Sequence, residues 1–258
     1  MILVISPAKT LDYESKLPFE KYSAPSFLEE SSRLIDNLRR KSPKKIKELM
    51  GLSDKLAALN VERYKNWELP FSPENARQSL YAFKGDVYIG LDAYSFSESD
   101  VDYAQEHLRI LSGLYGVLKP LDLMQPYRLE MGTKLKNARG KNLYEFWGGR
   151  IASALNDELK KMKTQVLVNL ASNEYFSAIK KDCVEADIVT PQFLDFKNGK
   201  YKMISFFAKK ARGMMCSWVI KNKIDDPAKL NEFNEQGYRH CSERSEESTP
   251  TFIRDEQK

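Results

Sequence analysis

Cysteine and histidine are scarce in this sequence, with three of the first and two of the second among 258 residues. Three cysteines cannot build a disulfide framework, so cytoplasm is the expected compartment. Cys183, Cys216 and Cys241 lack Cys-x-x-Cys spacing, and the only neighbouring pair of the two residue types is His240-Cys241. That poor supply of ligands argues against a preformed zinc or iron–sulfur site, and neither metal nor cofactor is expected. The Gly-x-Ser-x-Gly elbow of a conventional serine hydrolase is missing, as are the Walker loop and the dinucleotide fingerprint. Gly113-Leu-Tyr-Gly116 lacks a third glycine and reads as a helix end followed by a turn. Long hydrophobic runs are missing too. The aliphatic opening Met1 to Ile5 is far short of the ~20 residues a membrane-spanning helix requires. No basic segment precedes it, as one would in a secretory signal.

What the chain does contain is a folding composition, 42% hydrophobic, 30% charged and 11% aromatic, at a length sufficient for one large domain or two small ones. Forty-one Lys and Arg against 36 Asp and Glu give a net charge of +5. The last twenty residues, Arg239 to Lys258, hold four basic and five acidic side chains, so the body before them carries about +6. Basic residues cluster at Arg39 to Lys47, at Lys134 to Lys141, and at Lys209, Lys210 and Arg212. If folding brings such clusters to one groove, they make a phosphate-binding surface.

Hydrophobic periodicity and punctuation give the element order. Ile2 to Ile5 reads as a buried strand ended by Ser6-Pro7. Helical spacing runs from Ser26 to Arg40, and Ser42-Pro43 caps a new helix, followed by another over Asp54 to Tyr64. Ser72-Pro73 repeats the cap signal and predicts a further helix. Asp86 to Gly90 reads as strand-like and Ser97 to Leu111 as helical. Gly113 to Lys141 is rich in Gly and Pro and reads as turns with short extended pieces. A helix broken at Gly148-Gly149 spans Leu143 to Lys163. Val166 to Leu170 is a central strand, and Ser172 is placed to cap a short helix from Asn173 to Lys180. Asn198-Gly199 marks a hairpin between Ile188–Phe196 and Tyr201–Ala208, with helices over Lys209 to Lys221 and Pro227 to Glu235 behind it. The expectation is a single α+β domain over residues 1–238, a mixed sheet flanked by helices. From Arg239 to Lys258 the chain is polar and low in complexity, a tail expected to be loosely ordered.

Two constellations carry chemistry. In Ile46 to Leu59 two helical faces meet at Met50-Gly51-Leu52-Ser53. This stretch resembles the helix-hairpin-helix DNA-binding motif, with Gly51, Leu52, Lys55 and Ala57 in matching places and Ser53 where that motif has its second glycine. Backbone amides of Gly51 and Ser53, with Lys45 and Lys55 beside them, would hold a phosphate without reading bases. The second constellation gathers at strand ends, where open sheets bind ligands. Lys9 follows the first strand, Asn169 and Ser172 follow the strand at Val166, Arg128 and Glu130 stand two residues apart, and Lys209, Lys210 and Arg212 follow the last strand.

Ser6-Pro-Ala-Lys-Thr-Leu-Asp-Tyr13, Phe83-Lys-Gly-Asp-Val-Tyr88, the block Leu111 to Gly132, Asn169-Leu-Ala-Ser172 and Ala208 to Gly213 look like the bacterial YaaA family of peroxide-stress proteins. The resemblance runs from Met1 to about Tyr238, and the ending after it does not look like the family's usual one. It implies a cytoplasmic protein that limits hydrogen peroxide damage and lowers intracellular free iron. It also implies binding of double-stranded DNA through a basic cleft, on a mixed fold with a helix-hairpin-helix element. A non-enzymatic, monomeric DNA-binding protein of weak sequence specificity is therefore expected. Lys9, Lys55, Arg128, Lys209, Lys210 and Arg212 would be its phosphate contacts. The alternative is an enzyme acting on a nucleotide or nucleic acid base, with Glu130, Asp122 or Asp12 as acid or base. That alternative requires Glu130 to sit in one pocket with Lys9, Arg128 and the Asn169–Ser172 strand end. A third option is an iron-sequestering protein.

Overall fold

The structure, a computed structural model, describes residues 1–256. Its centre is a five-stranded sheet made of β1 (Ile2–Ile5), β2 (Leu108–Ser112), β3 (Gly116–Leu118), β4 (Val166–Leu170) and β5 (Asp187–Val189). The spatial order is β3-β2-β1-β4-β5, with β3 antiparallel and the other four parallel. All four residues of β1 are fully buried, as an unbroken aliphatic strand covered on both faces must be. From β1 the chain goes first to β2 on one side and later to β4 on the other, so strand order reverses at β1/β4. Such a reversal opens a crevice beyond the carboxyl ends of the two strands.

The helices are α1 (Leu28–Arg39), α2 (Pro43–Met50), α3 (Asp54–Asn66), α4 (Asp86–Leu91), α5 (Glu98–His107), α6 (Arg150–Leu159) and α7 (Ser205–Lys221), of which α5 and α7 pack on β1. A second, four-stranded sheet of β6 (Gln192–Lys197), β7 (Lys200–Lys202), β8 (Tyr238–His240) and β9 (Thr251–Arg254) has the order β7-β6-β9-β8. The β6–β7 turn carries Asn198 and Gly199 at φ 54° and 78°, the positive values that the Asn-Gly pair accommodates. Together these elements make one α+β domain.

Four expectations are corrected. Asp86 to Gly90 is helix rather than strand, because Gly90 lets α4 lie directly on α7 and that packing overrides the β-branched character of Val87 and Ile89. After Ser72 only one turn forms, closed by Asn75 Oδ1 accepting from the Ser72 amide at 3.0 Å. The chain is then drawn into an extended pairing of Arg77–Gln78 with Leu123–Met124. The helix from Glu98 stops at His107 because Leu108 onward pairs with β1. The polar ending is not loose: Thr251–Arg254 is a buried inner strand of the second sheet. Phe252 packs on Phe193 and Phe233. The Arg254 Nε donates to buried Asp195 at 2.7 Å, and the Tyr238 hydroxyl donates to the same carboxylate at 3.0 Å. A short apolar strand and one buried ion pair thus outweigh the polar composition around them.

Candidate functional site

A cavity of about 400 Å³ opens at the β1/β4 reversal. Ser6-Pro7 ends β1, and the next residues, Thr10–Leu11, pair antiparallel with Phe83–Lys84, which brings Lys84 to the rim. Beyond the strand ends β1 and β4 are stitched together, since the Ser6 Oγ accepts from the Ser172 amide at 2.9 Å and lies 3.3 Å from the Ser172 Oγ. The Tyr88 hydroxyl donates to the Ser6 carbonyl at 3.2 Å, fixing α4 against the same turn.

The far wall is set by two helices in backbone contact. A Cβ at Gly213 would stand 1.9 Å from the Val87 carbonyl oxygen, and one at Gly90 would stand 2.0 Å from that of Lys210. Only glycine at both positions lets α4 and α7 approach this closely. The approach turns Lys209 and Arg212, one helical turn apart, into the cavity. Burial holds the half-buried Arg212 guanidinium below its ordinary pKa. Among the described residues no carboxylate oxygen lies within 4.0 Å of Arg212 or Lys209. Lys210 faces away, toward Asp92 and Trp218 on the opposite side of α7.

Glu130 enters the cavity from the long central block. Its Oε2 lies 2.9 Å from the Lys9 Nζ and its Oε1 3.0 Å from the Arg128 Nη2, with the carboxylate 24% exposed. Gly113 explains how this segment gets there, since a Cβ on it would stand 2.2 Å from the Leu129 carbonyl oxygen. Lys9, Arg128, Glu130 and Ser172 are thus brought together, with Lys209 and Arg212 beside them. Sequence reasoning missed Lys84, Asp86, Glu174 and Tyr175, which also line the cavity. Lys84 and Asp86 belong to the quoted block Phe83 to Tyr88; reading Asp86 to Gly90 as a strand hides Asp86, and Lys84 stands just before that stretch.

A family model described as "Peroxide stress protein YaaA" matches residues 1–244. The chain belongs to this family. Similar proteins are a UPF0246 protein of Alcanivorax borkumensis, 57% identical over 257 residues and all of both chains, and one of Teredinibacter turnerae, 54% identical over 254 residues, 98% of this chain and 99% of that one. The alignment to the Alcanivorax protein spans the ending as well, so the segment after Tyr238, expected to differ from the family's usual ending, has a counterpart there.

The remaining candidates fall elsewhere in this YaaA-family chain. Asn169 is buried, and its Oδ1 accepts from the Ala171 amide at 3.0 Å, so it shapes the turn after β4 rather than lining the cavity. Asp12 accepts from the amide and hydroxyl of Ser15 at 3.0 and 2.7 Å. Those bonds pull its pKa down to about 2 and make it a turn residue. Asp122 is buried away from the cavity, accepting from the Ser23 hydroxyl at 2.6 Å and the Lys119 amide at 2.8 Å. Burial nevertheless pushes its pKa up to about 6. With the folded value above the unfolded one, the stability linked to this carboxyl is full below about pH 4 and lost as pH rises through about 6. Carboxyl chemical shifts followed against pH should show Asp122 titrating near 6; an ordinary aspartate midpoint would contradict this.

The α2–α3 hairpin forms as its caps dictate. Ser42 and Ser53 accept from the Lys45 and Leu56 amides at 3.4 and 3.3 Å, and Gly51 takes φ 62°. The amides of Gly51 and Leu52 both donate to the Lys47 carbonyl, so of the two amides expected to cradle a phosphate, those of Gly51 and Ser53, the first is spent on the helix end. The Lys47 Nζ lies 2.9 Å from Asp54 across the turn. Lys45 and Lys55 are exposed. Among the described residues no helix is long and apolar enough to cross a membrane, and no three His, Cys, Asp or Glu side chains are grouped to hold a metal ion.

Proposed function

We propose that this protein acts in peroxide stress as a cytoplasmic, monomeric DNA-binding protein. The cationic rim of the β1/β4 cavity would contact phosphates of a duplex. One observation carries the reading: Lys209 and Arg212, free of any carboxylate partner among the described residues, face the same cavity as Lys9 and Lys84. Family membership supports the peroxide-stress role. Phosphate contact without base readout requires log affinity to fall with log salt at about −0.9 per phosphate, alike for every duplex sequence. Fluorescence anisotropy across a salt series tests this, and a salt-insensitive affinity would refute it. Lys55→Glu isolates the hairpin: a drop equal to that of Lys209→Glu would make it a full partner of the cleft, and the loss of the Gly51 amide to the helix end predicts a smaller one. The expected lowering of free iron belongs to the same proposal as an indirect effect. Equilibrium titration of ferrous iron into the purified protein should show no stoichiometric binding, and one tight site would overturn the indirect route.

A second reading, an enzyme acting on a nucleotide or nucleic acid base, is favoured by Glu130. It sits in one cavity with Lys9 and Ser172 and is paired with Arg128, a placement suited to a general acid or base.

A further inference from the structure

The cavity wall is of mixed sign. Lys209 and Arg212 offer unpaired positive charge, while Glu130 and Asp86 offer carboxylate acceptors and Tyr175 a ring. A duplex exterior presents phosphate oxygens and sugars, and carboxylates in such a contact only repel it. They suit a ligand that brings N–H or O–H donors along with its phosphate. The volume of about 400 Å³ also lies within the small-ligand range of roughly 300–1,000 Å³ and is too small for a double helix.

We propose that the cavity is a pocket for a single nucleotide unit. Its phosphate sits on Lys209 and Arg212, its base packs on Tyr175, and its donors face Glu130. The inference rests on the reading of this cleft as a nucleic-acid surface and names what enters its floor. The same chemistry is supplied by a free deoxynucleoside monophosphate or by one nucleotide lifted out of a strand, where an unpaired base is the cheapest to extrude.

Calorimetric titration of the full chain with the four deoxynucleoside monophosphates tests the pocket directly. We expect one-to-one binding, with deoxynucleosides and inorganic phosphate each weaker by about tenfold or more, because each lacks half of the contacts. Arg212→Gln should weaken the monophosphates by about tenfold while unfolding at the wild-type temperature. Lys209→Ala, at an exposed position, should weaken them in the same direction. A second arm compares a duplex carrying one bulged nucleotide with the fully paired duplex. Tighter binding of the bulged strand, reversed by added monophosphate, identifies the strand as the source; monophosphate binding with no bulge preference identifies the free nucleotide. No monophosphate binding together with equal affinity for both duplexes overturns the pocket and leaves duplex binding standing. Monophosphate binding by a protein that ignores duplex DNA leaves the pocket standing and overturns the duplex. Inorganic phosphate bound as tightly as the monophosphates would also overturn the nucleotide assignment.

Discussion

Gly213→Ala should destabilise the protein and empty the cleft of its cations in one step. The new Cβ would lie 1.9 Å from the Val87 carbonyl oxygen and 2.7 Å from the Leu91 amide nitrogen. Both are backbone atoms of α4, so no side chain can swing aside. The helices must part, and overpacking of this kind costs about 1–3 kcal/mol. For a chain of this size each kcal/mol lowers the midpoint by roughly 2–4 °C. The damage reaches function because α7 carries Lys209 and Arg212 while α4 carries Asp86 and Tyr88. Gly90→Ala approaches the same contact from the other side, 2.0 Å from the Lys210 carbonyl oxygen, and should behave alike. Thermal unfolding with DNA binding measured on the same samples checks both. An unchanged midpoint for Gly213→Ala would show that the helices are not in backbone contact.

Glu130→Gln separates the two readings of the site by sign. The carboxylate neutralises Lys9 and Arg128 at 2.9 and 3.0 Å. Removing its charge releases both cations toward phosphate, so the DNA-binding reading predicts tighter duplex binding and a steeper salt dependence. If Glu130 is instead a general acid or base, the same change should abolish turnover on the substrate by about 10²–10⁴-fold. The Lys9 pair, open to solvent on the lysine side, should contribute only about 0–1 kcal/mol to stability, whereas the Arg128 pair is largely buried and accounts for any larger loss. Weaker duplex binding by a normally folded Glu130→Gln protein would contradict the first reading.

Much of this architecture is legible in the chain. The aliphatic run at β1, the Ser-Pro caps of α2 and the Asn-Gly turn at residues 198–199 each act through local sterics, and each appears where the residues place it. What sequence alone hides is long-range. Val87 and Ile89 favour a strand, and only the facing glycine of α7, more than a hundred residues on, makes them a helix. Thr251 to Arg254 looks like part of a polar tail until Asp195 supplies a buried partner for Arg254. The site shows the same division. Lys9 and Ser172 are readable as strand-end residues because the sheet fixes them. Lys209 and Lys210 are indistinguishable as neighbours in sequence, and only helix rotation assigns one to the cavity and the other to the opposite side. Asn169 looks equally well placed but spends its side chain on the turn just after it. The glycines of the block Leu111 to Gly132 read as loop punctuation, whereas Gly113 serves a backbone contact that delivers Glu130.

Lys209 and Arg212, which line the β1/β4 crevice, are the groups proposed to hold nucleic acid phosphate. The most direct measurement is anisotropy of a labelled duplex titrated with the wild-type protein and with the double variant Lys209→Glu, Arg212→Gln at several salt concentrations. The account predicts an affinity lower by at least about tenfold at low salt and a log–log salt slope shallower by about two phosphate contacts. Equal affinities and equal slopes for the two proteins, with the variant folded, would contradict it.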